Sequence, residues 1–247
     1  MTGFVRTGAA RIGLVALFLI LAGPGAGAQE PGRAASVRPL TPFQRQKAER
    51  LLRDRLPCLG CHRLDGEGGR VGPDLSRLKG REASYVYAMI RDPEATAPGT
   101  RMPRVPTSAG TLDLIARYLL NHEPPAEAPP PESPVVERMP PPKGPEDAPA
   151  AYARYCAPCH GTAGAGDGPN APFLPVPPAG HSDAAYMSGR SDDALFDAIY
   201  AGGYVMDRSA RMPAFGRTLT TEQIRDLVRY LRQLCGCEGP GWAREEP

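Results

Sequence analysis

Aromatic side chains are scarce in this chain, 6% of 247 residues with a single Trp. Segments so poor in aromatics have little material for a core. Below roughly 100 residues they need a staple or a large bound group. Long apolar runs are missing as well. The most apolar stretch, Ile12 to Ala22, has 11 residues, against the roughly 20 that span a bilayer. No strand pattern of useful length and no βαβ pattern appears, so the chain reads as helix and loop, an all-α fold. An excess of either charge is also missing, with 29 basic and 27 acidic residues. A nucleic-acid binder is more often basic overall, so no nucleic-acid partner is expected.

What is present begins with a targeting pattern. Arg6 and Arg11 precede the apolar stretch, and Ala26-Gly27-Ala28 fits a small-residue cleavage site. Residues 1–28 therefore read as a secretory signal peptide, with an uncleaved anchor as the rival reading. Pro24 stands where a lipoprotein site would need Cys, so no lipid anchor is expected. Proline is abundant, 30 residues, and concentrated: 11 lie between positions 123 and 149. Proline lacks the backbone donor of helix and sheet, so 123–147 reads as a semi-rigid linker. On either side lie 36–122 and 148–238, with 239–247 as a tail. Charge divides between them. Residues 29–123 carry a net +5 and residues 146–247 a net −4.

The two segments repeat each other. Each opens with a short helix, begun in the first by Thr41 and Pro42 and ended by Pro57. Each leads into Cys-x-x-Cys-His: Cys58, Cys61 and His62, then Cys156, Cys159 and His160. Each continues through a Gly/Pro-rich loop and an Arg-Met-Pro to a closing amphipathic helix. Leu112, Ile115, Ala116 and Leu119 carry the helical spacing in the first, and Ile224, Leu227, Val228 and Leu231 in the second. Arg-Tyr-Leu recurs at 117–119 and 229–231. Thr220 and Gln223 fit a capping box.

Cys-x-x-Cys-His is the spacing of c-type haem attachment. Two thiols one helical turn apart reach the two haem vinyl groups, and the adjacent imidazole meets the iron. Half of a zinc site or a thioredoxin-like pair would use the cysteines but leave the repeated His unexplained. Two covalent haem c groups are therefore expected. Met102, 40 residues after His62, and Met212, 52 after His160, are the candidate sixth ligands. A thioether raises the reduction potential and closes the site, which suits electron transfer. Met206 is a rival to Met212. Met89 reads as core of a helical 85–90 segment, and Met139, in a third Arg-Met-Pro within the linker, reads as coincidence. His122 reads as a helix-end cation. His181 reads as a surface residue, with a bis-His haem as its alternative role. Cys235-Gly236-Cys237 remains. Two free thiols are not expected in an oxidising compartment, and intramolecular and intermolecular bridges both stay open.

Both segments resemble class I cytochrome c domains, and the whole resembles a tandem diheme cytochrome c. The resemblance covers about 41–122 and 148–235. It rests on the two haem motifs, Gly72-Pro73-Asp74, Met102-Pro103, Tyr118-Leu119, Gly166-Asp167-Gly168-Pro169, Met212-Pro213-Ala214-Phe215 and Tyr230-Leu231. It implies crossed first and last helices, and a backbone loop at Pro73 and Pro169 that holds each ligand His. It also implies a periplasmic one-electron carrier without a small-molecule substrate. The donor would be a quinol-oxidising complex or dehydrogenase, and the acceptor a terminal oxidase or reductase. A haem-bearing subunit of a larger membrane complex is the second reading. A diheme enzyme of the peroxidase or thiosulfate-oxidising type is the third. The long Pro-rich linker departs from compact tandem cytochromes and argues against close packing of the two haem sites.

Overall fold

The computed structural model describes residues 1–3, 39–127, 134–135 and 147–243. Nearly all of the signal-peptide reading, most of the linker, Met139 and the end of the tail lie outside the described residues. Among the described residues no helix is long and apolar enough to cross a membrane.

The polypeptide is mostly helical. In chain order the helices are α1 (Pro42–Arg50), α2 (Cys58–Cys61), α3 (Ala83–Arg91), α4 (Pro93–Thr96) and α5 (Ala109–Leu120). After the linker come α6 (Ala148–Ala151), α7 (Ala157–His160), α8 (Ala184–Ser188), α9 (Asp192–Val205) and α10 (Thr221–Cys235). Local chemistry explains their limits. Thr41 and Gln44 form a reciprocal capping box on α1, with Pro42 at its first position. Thr220 and Gln223 do the same for α10, which Gly236 ends in the left-handed conformation. Each such cap contributes about 1 kcal/mol by satisfying donors that the helix leaves unpaired.

The internal repeat extends to backbone detail. Helix α1 passes into a π-helical turn at Leu51–Arg55, and α6 into another at Tyr152–Cys156. Single π turns are uncommon and frequently mark functional sites. Here each is followed directly by the Cys-x-x-Cys helix, α2 or α7, so each re-aims the chain where the cysteines must project inward.

Two apolar cores form. The first gathers Ala48, Leu52, Leu59, Leu64, Ile115, Tyr118 and Leu119, and Val86, Tyr87, Leu112 and Ala116 extend it under α3. The second gathers Tyr152, Met187, Leu195, Phe215, Ile224, Leu227, Val228 and Leu231. Helix α5 packs on α1, and α10 packs on α6 and α9. The periodic residues of both closing helices are thus the buried ones. Met89 is half-buried on α3.

Two features differ from expectation. Arg63–Leu64 and Glu67–Gly68 pair as a minimal antiparallel hairpin, β1 and β2. Its turn residues, Asp65 and Gly66, both have positive φ, 52° and 89°. Asp-Gly is a favoured pair for the mirror-image turn that such hairpins require. The second difference is larger. The two halves meet directly through hydrogen bonds between their loops, although the proline-rich stretch between them is long. The Arg154 guanidinium donates to the Thr100 carbonyl at 2.7 Å, Arg101 donates to the Arg154 carbonyl at 2.9 Å, and the Arg104 N–H donates to Thr218 Oγ1 at 2.9 Å. Between them, Val135 is buried, and its N–H donates to the Arg70 carbonyl at 2.6 Å.

Candidate functional site

In the first Cys-x-x-Cys-His, Cys58 and Cys61 bound α2 and His62 follows in extended conformation. The His62 Nδ1 lies 2.8 Å from the Pro73 carbonyl. A carbonyl only accepts, so Nδ1 carries the proton and Nε2 keeps its lone pair for a metal. Burial lowers the His62 pKa, which keeps the ring neutral, and the Pro73 hydrogen bond opposes this only in part. Gly72 completes the cradle, because a side chain there would collide with the His62 ring. The next residue after each partner, Arg63 and Asp74, locks the arrangement. Arg63, 2% exposed, donates to Asp74 Oδ2 through Nη2 at 2.7 Å and Nε at 2.9 Å. The reading of Pro73 as backbone holder of His62 therefore stands in this geometry.

The second site differs in its holder. His160 Nδ1 donates to the Ala179 carbonyl at 2.9 Å, rather than to the Pro169 region. The 162–170 loop instead folds under α7, where the Gly166 and Gly168 N–H groups bond the carbonyls of His160 and Cys159. Burial again lowers the pKa of His160, partly opposed by the Ala179 bond.

A cavity of about 390 Å³ opens beside this imidazole, within the usual range for small-molecule and cofactor pockets. Cys156, Cys159, His160 and Met212 all line it, with Leu195, Ile199, Phe215, Leu227 and Leu231 as apolar walls. Met212 is delivered by backbone: the Gly203 N–H donates to the Met212 carbonyl at 3.0 Å, and the Phe215 N–H to the Ile199 carbonyl at 2.9 Å. Gly202, at φ 78°, turns the chain out of α9 so that this loop can approach. Met206 sits at the C-terminal end of α9. Met102 lies outside this cavity. Its N–H bonds Thr100 Oγ1 at 3.2 Å, in a loop bolted to the π turn before Cys156 by Arg101 and Arg154.

His181 is not the surface residue expected from sequence. Its ring stacks on His160, centroids 4.1 Å apart and planes 15° from parallel. Its Nδ1 lies 3.0 Å from the Tyr152 hydroxyl. Burial, helped by the neighbouring His160, pulls its pKa down to about 3. The His181 ring thus covers one face of the His160 imidazole. His181 is half-buried, whereas His122 is buried, and its Nε2 lies 2.8 Å from Asp65 in the hairpin turn.

The four motif cysteines are free thiols, whereas Cys235 and Cys237 are joined in a disulfide. Burial pushes Cys58 up to about 11 and Cys156 up to about 12, and it raises Cys61 and Cys159 as well. Of the four, Cys61, Cys156 and Cys159 line the cavity. Among the described residues no group of three or more His, Cys, Asp or Glu comes together as a metal site.

These residues fit haem c on a further observation. Arg211 lines the cavity, and among the described residues its Nη1 is a buried side-chain donor with no hydrogen-bond partner. Its Nη2 is already engaged by Glu67 at 2.7 Å. A buried unpaired guanidinium nitrogen is costly, and an anionic group in the cavity would satisfy it. The haem propionates are such groups.

Sequence reasoning missed Arg211 and Ala179. The first was visible as the Arg of Arg-Met-Pro, read only for its Met. The second acts through its backbone carbonyl, which leaves no residue-type signal.

Residues 144–231 match the family described as "Cytochrome C oxidase, cbb3-type, subunit III". A solved structure of the Kuenenia stuttgartiensis reducing HAO-like protein complex is 20% identical, covering 60% of this chain and 70% of that one, with a TM-score of 0.30. The match supports a cytochrome c domain at residues 144–231, a kind of domain that binds haem c covalently.

Proposed function

We propose that the chain is an exported, periplasmic diheme c-type cytochrome. It moves single electrons between a membrane or periplasmic donor and a terminal oxidase or reductase. The observation that carries this reading is the convergence of Cys156, Cys159, His160 and Met212 on one apolar cavity. The same α–π–Cys module precedes His62, with its own backbone-held imidazole, which extends the reading to a second site and to two tandem domains.

Bound haem c supplies an iron centre that exchanges one electron at a time. The chain does the rest. Cys58 and Cys61, and Cys156 and Cys159, provide the thioether attachments. The Pro73 and Ala179 carbonyls hold His62 and His160 with Nε2 free to ligate. Met212 would supply a thioether sulfur ligand in the second site, and Met102, which lies outside this cavity, would do so in the first. The apolar walls would exclude water, and Arg211 would receive a propionate.

The matched family is that of an oxidase subunit, which favours one second reading: the chain is the haem-bearing subunit of a membrane oxidase complex rather than a free carrier. Membrane fractionation of the native protein, with its N-terminus read by mass spectrometry, separates the two. A free carrier has lost residues 1–28 and stays in the soluble fraction. A subunit co-purifies with membrane partners.

A further inference from the structure

Asn170 is 0% exposed, although its side chain is a polar amide. Its side-chain bonds lie at the joint between the two halves. Its Nδ2 donates to the Gly60 carbonyl at 2.9 Å, inside the first Cys-x-x-Cys, and lies 3.2 Å from the Sγ of Cys159 in the second. Its Oδ1 accepts the Arg70 N–H at 2.6 Å. Its own N–H donates to the Pro158 carbonyl at 2.9 Å. One side chain thus touches both attachment turns.

The surrounding contacts are equally close. Gly60 packs on the second half so tightly that a side chain there would collide with the Arg211 carbonyl. Gly69 is pressed between the Gly60 carbonyl and Asn170 Oδ1. Arg211, which lines the second cavity, is ion-paired to Glu67 of the hairpin beside the first motif. The Arg70 guanidinium sits 4.5 Å above the Phe173 ring. Cys61, from the first motif, lines the second cavity together with Cys159. Packing alone would be met by a leucine at position 170. A fully satisfied buried amide instead fixes one geometry, because any shift leaves polar groups unpaired.

We infer that Asn170 is a positioning residue that locks the two Cys-x-x-Cys-His turns together, so that electrons pass directly between the two sites within one molecule. The inference rests on the two-haem reading above. In the step itself an electron given up at one site is taken up at the other. One centre is oxidised as its neighbour is reduced, and no proton or co-reactant takes part. The long linker then serves to tether two units that the Asn170 joint holds in register.

The test uses full-length protein loaded with haem in vivo, its haem count taken by mass spectrometry. Flash photoreduction then follows redistribution of the electron between the two sites. In wild-type protein the exchange rate is independent of protein concentration, and the fully oxidised sample shows spin–spin interaction between its two ferric centres. Electron exchange weakens as the two centres move apart, so Asn170→Leu, and independently Gly60→Ala, slow the exchange several-fold while two haems remain attached. Two magnetically isolated centres in wild-type protein would overturn the inference while sparing the two-haem reading, as would unchanged exchange in both variants. A single covalent haem in wild-type protein would overturn both.

Discussion

Arg63 and Asp74 form an ion pair at 2.7 Å, with the arginine 2% exposed, each one residue beyond its neighbour in the His62–Pro73 hydrogen bond. The pair therefore holds the loop that orients the ligand imidazole. Removing one member of a buried pair strands the other, at a cost of about 3–5 kcal/mol. Asp74→Asn accordingly destabilises the protein by about that amount and disturbs the first haem site before the second. Chemical denaturation and the spectrum of the first haem check both effects.

The same pair sets a pH dependence. Burial would raise the Asp74 pKa, but hydrogen bonds from Arg63 and from the backbone and hydroxyl of Ser76, with the Arg63 charge, outweigh it. The folded value lies below the ordinary one. A carboxyl of this kind contributes stability above its unfolded pKa of about 3.9 and loses it as pH falls through the folded value. Melting temperatures of wild type therefore fall on acidification below about pH 4, and the fall is shallower in Asp74→Asn. Parallel curves would contradict the assignment.

Met212→Ala leaves Cys156, Cys159 and His160 in place, and the backbone bond from Gly203 to residue 212 needs no side chain. The variant keeps a covalent haem in the second site, loses the weak far-red band of ferric sulfur ligation, binds cyanide or carbon monoxide, and has a lower reduction potential. An unchanged potential would assign the ligand elsewhere.

Arg211→Gln removes a positive charge from the wall of the second cavity. A nearby cation favours the more negative, reduced form of a redox centre. The second potential falls in this variant and the first changes less. Equal shifts at both sites would contradict the placement of Arg211 against the second haem.

Thr220→Ala removes one arm of the capping box on α10. About 1 kcal/mol of stability is lost, read as a lowered midpoint of chemical denaturation.

Much of this was legible in the sequence. Both closing helices follow from their 3.6-residue spacing, and the haem motifs from thiol and imidazole placement. The capping box at Thr220 was readable from Thr and Gln three positions apart. The hairpin at Asp65-Gly66 was readable too, but its strands are two residues long and show no alternation. His181 was not readable, since its place is set by stacking on a residue 21 positions away. Nor was the joint between the halves. A proline-rich linker reports how far apart two units can be, not how they pack, and Asn170 lies 110 positions from the carbonyl it holds.

An optical redox titration of the haem-loaded protein, with covalent haem counted by mass spectrometry, tests the central claim most directly. Two covalent haems, both at positive potential and both with the far-red band of Met-sulfur ligation in the ferric state, are the result predicted. A single haem, or one at low potential without that band, would contradict it.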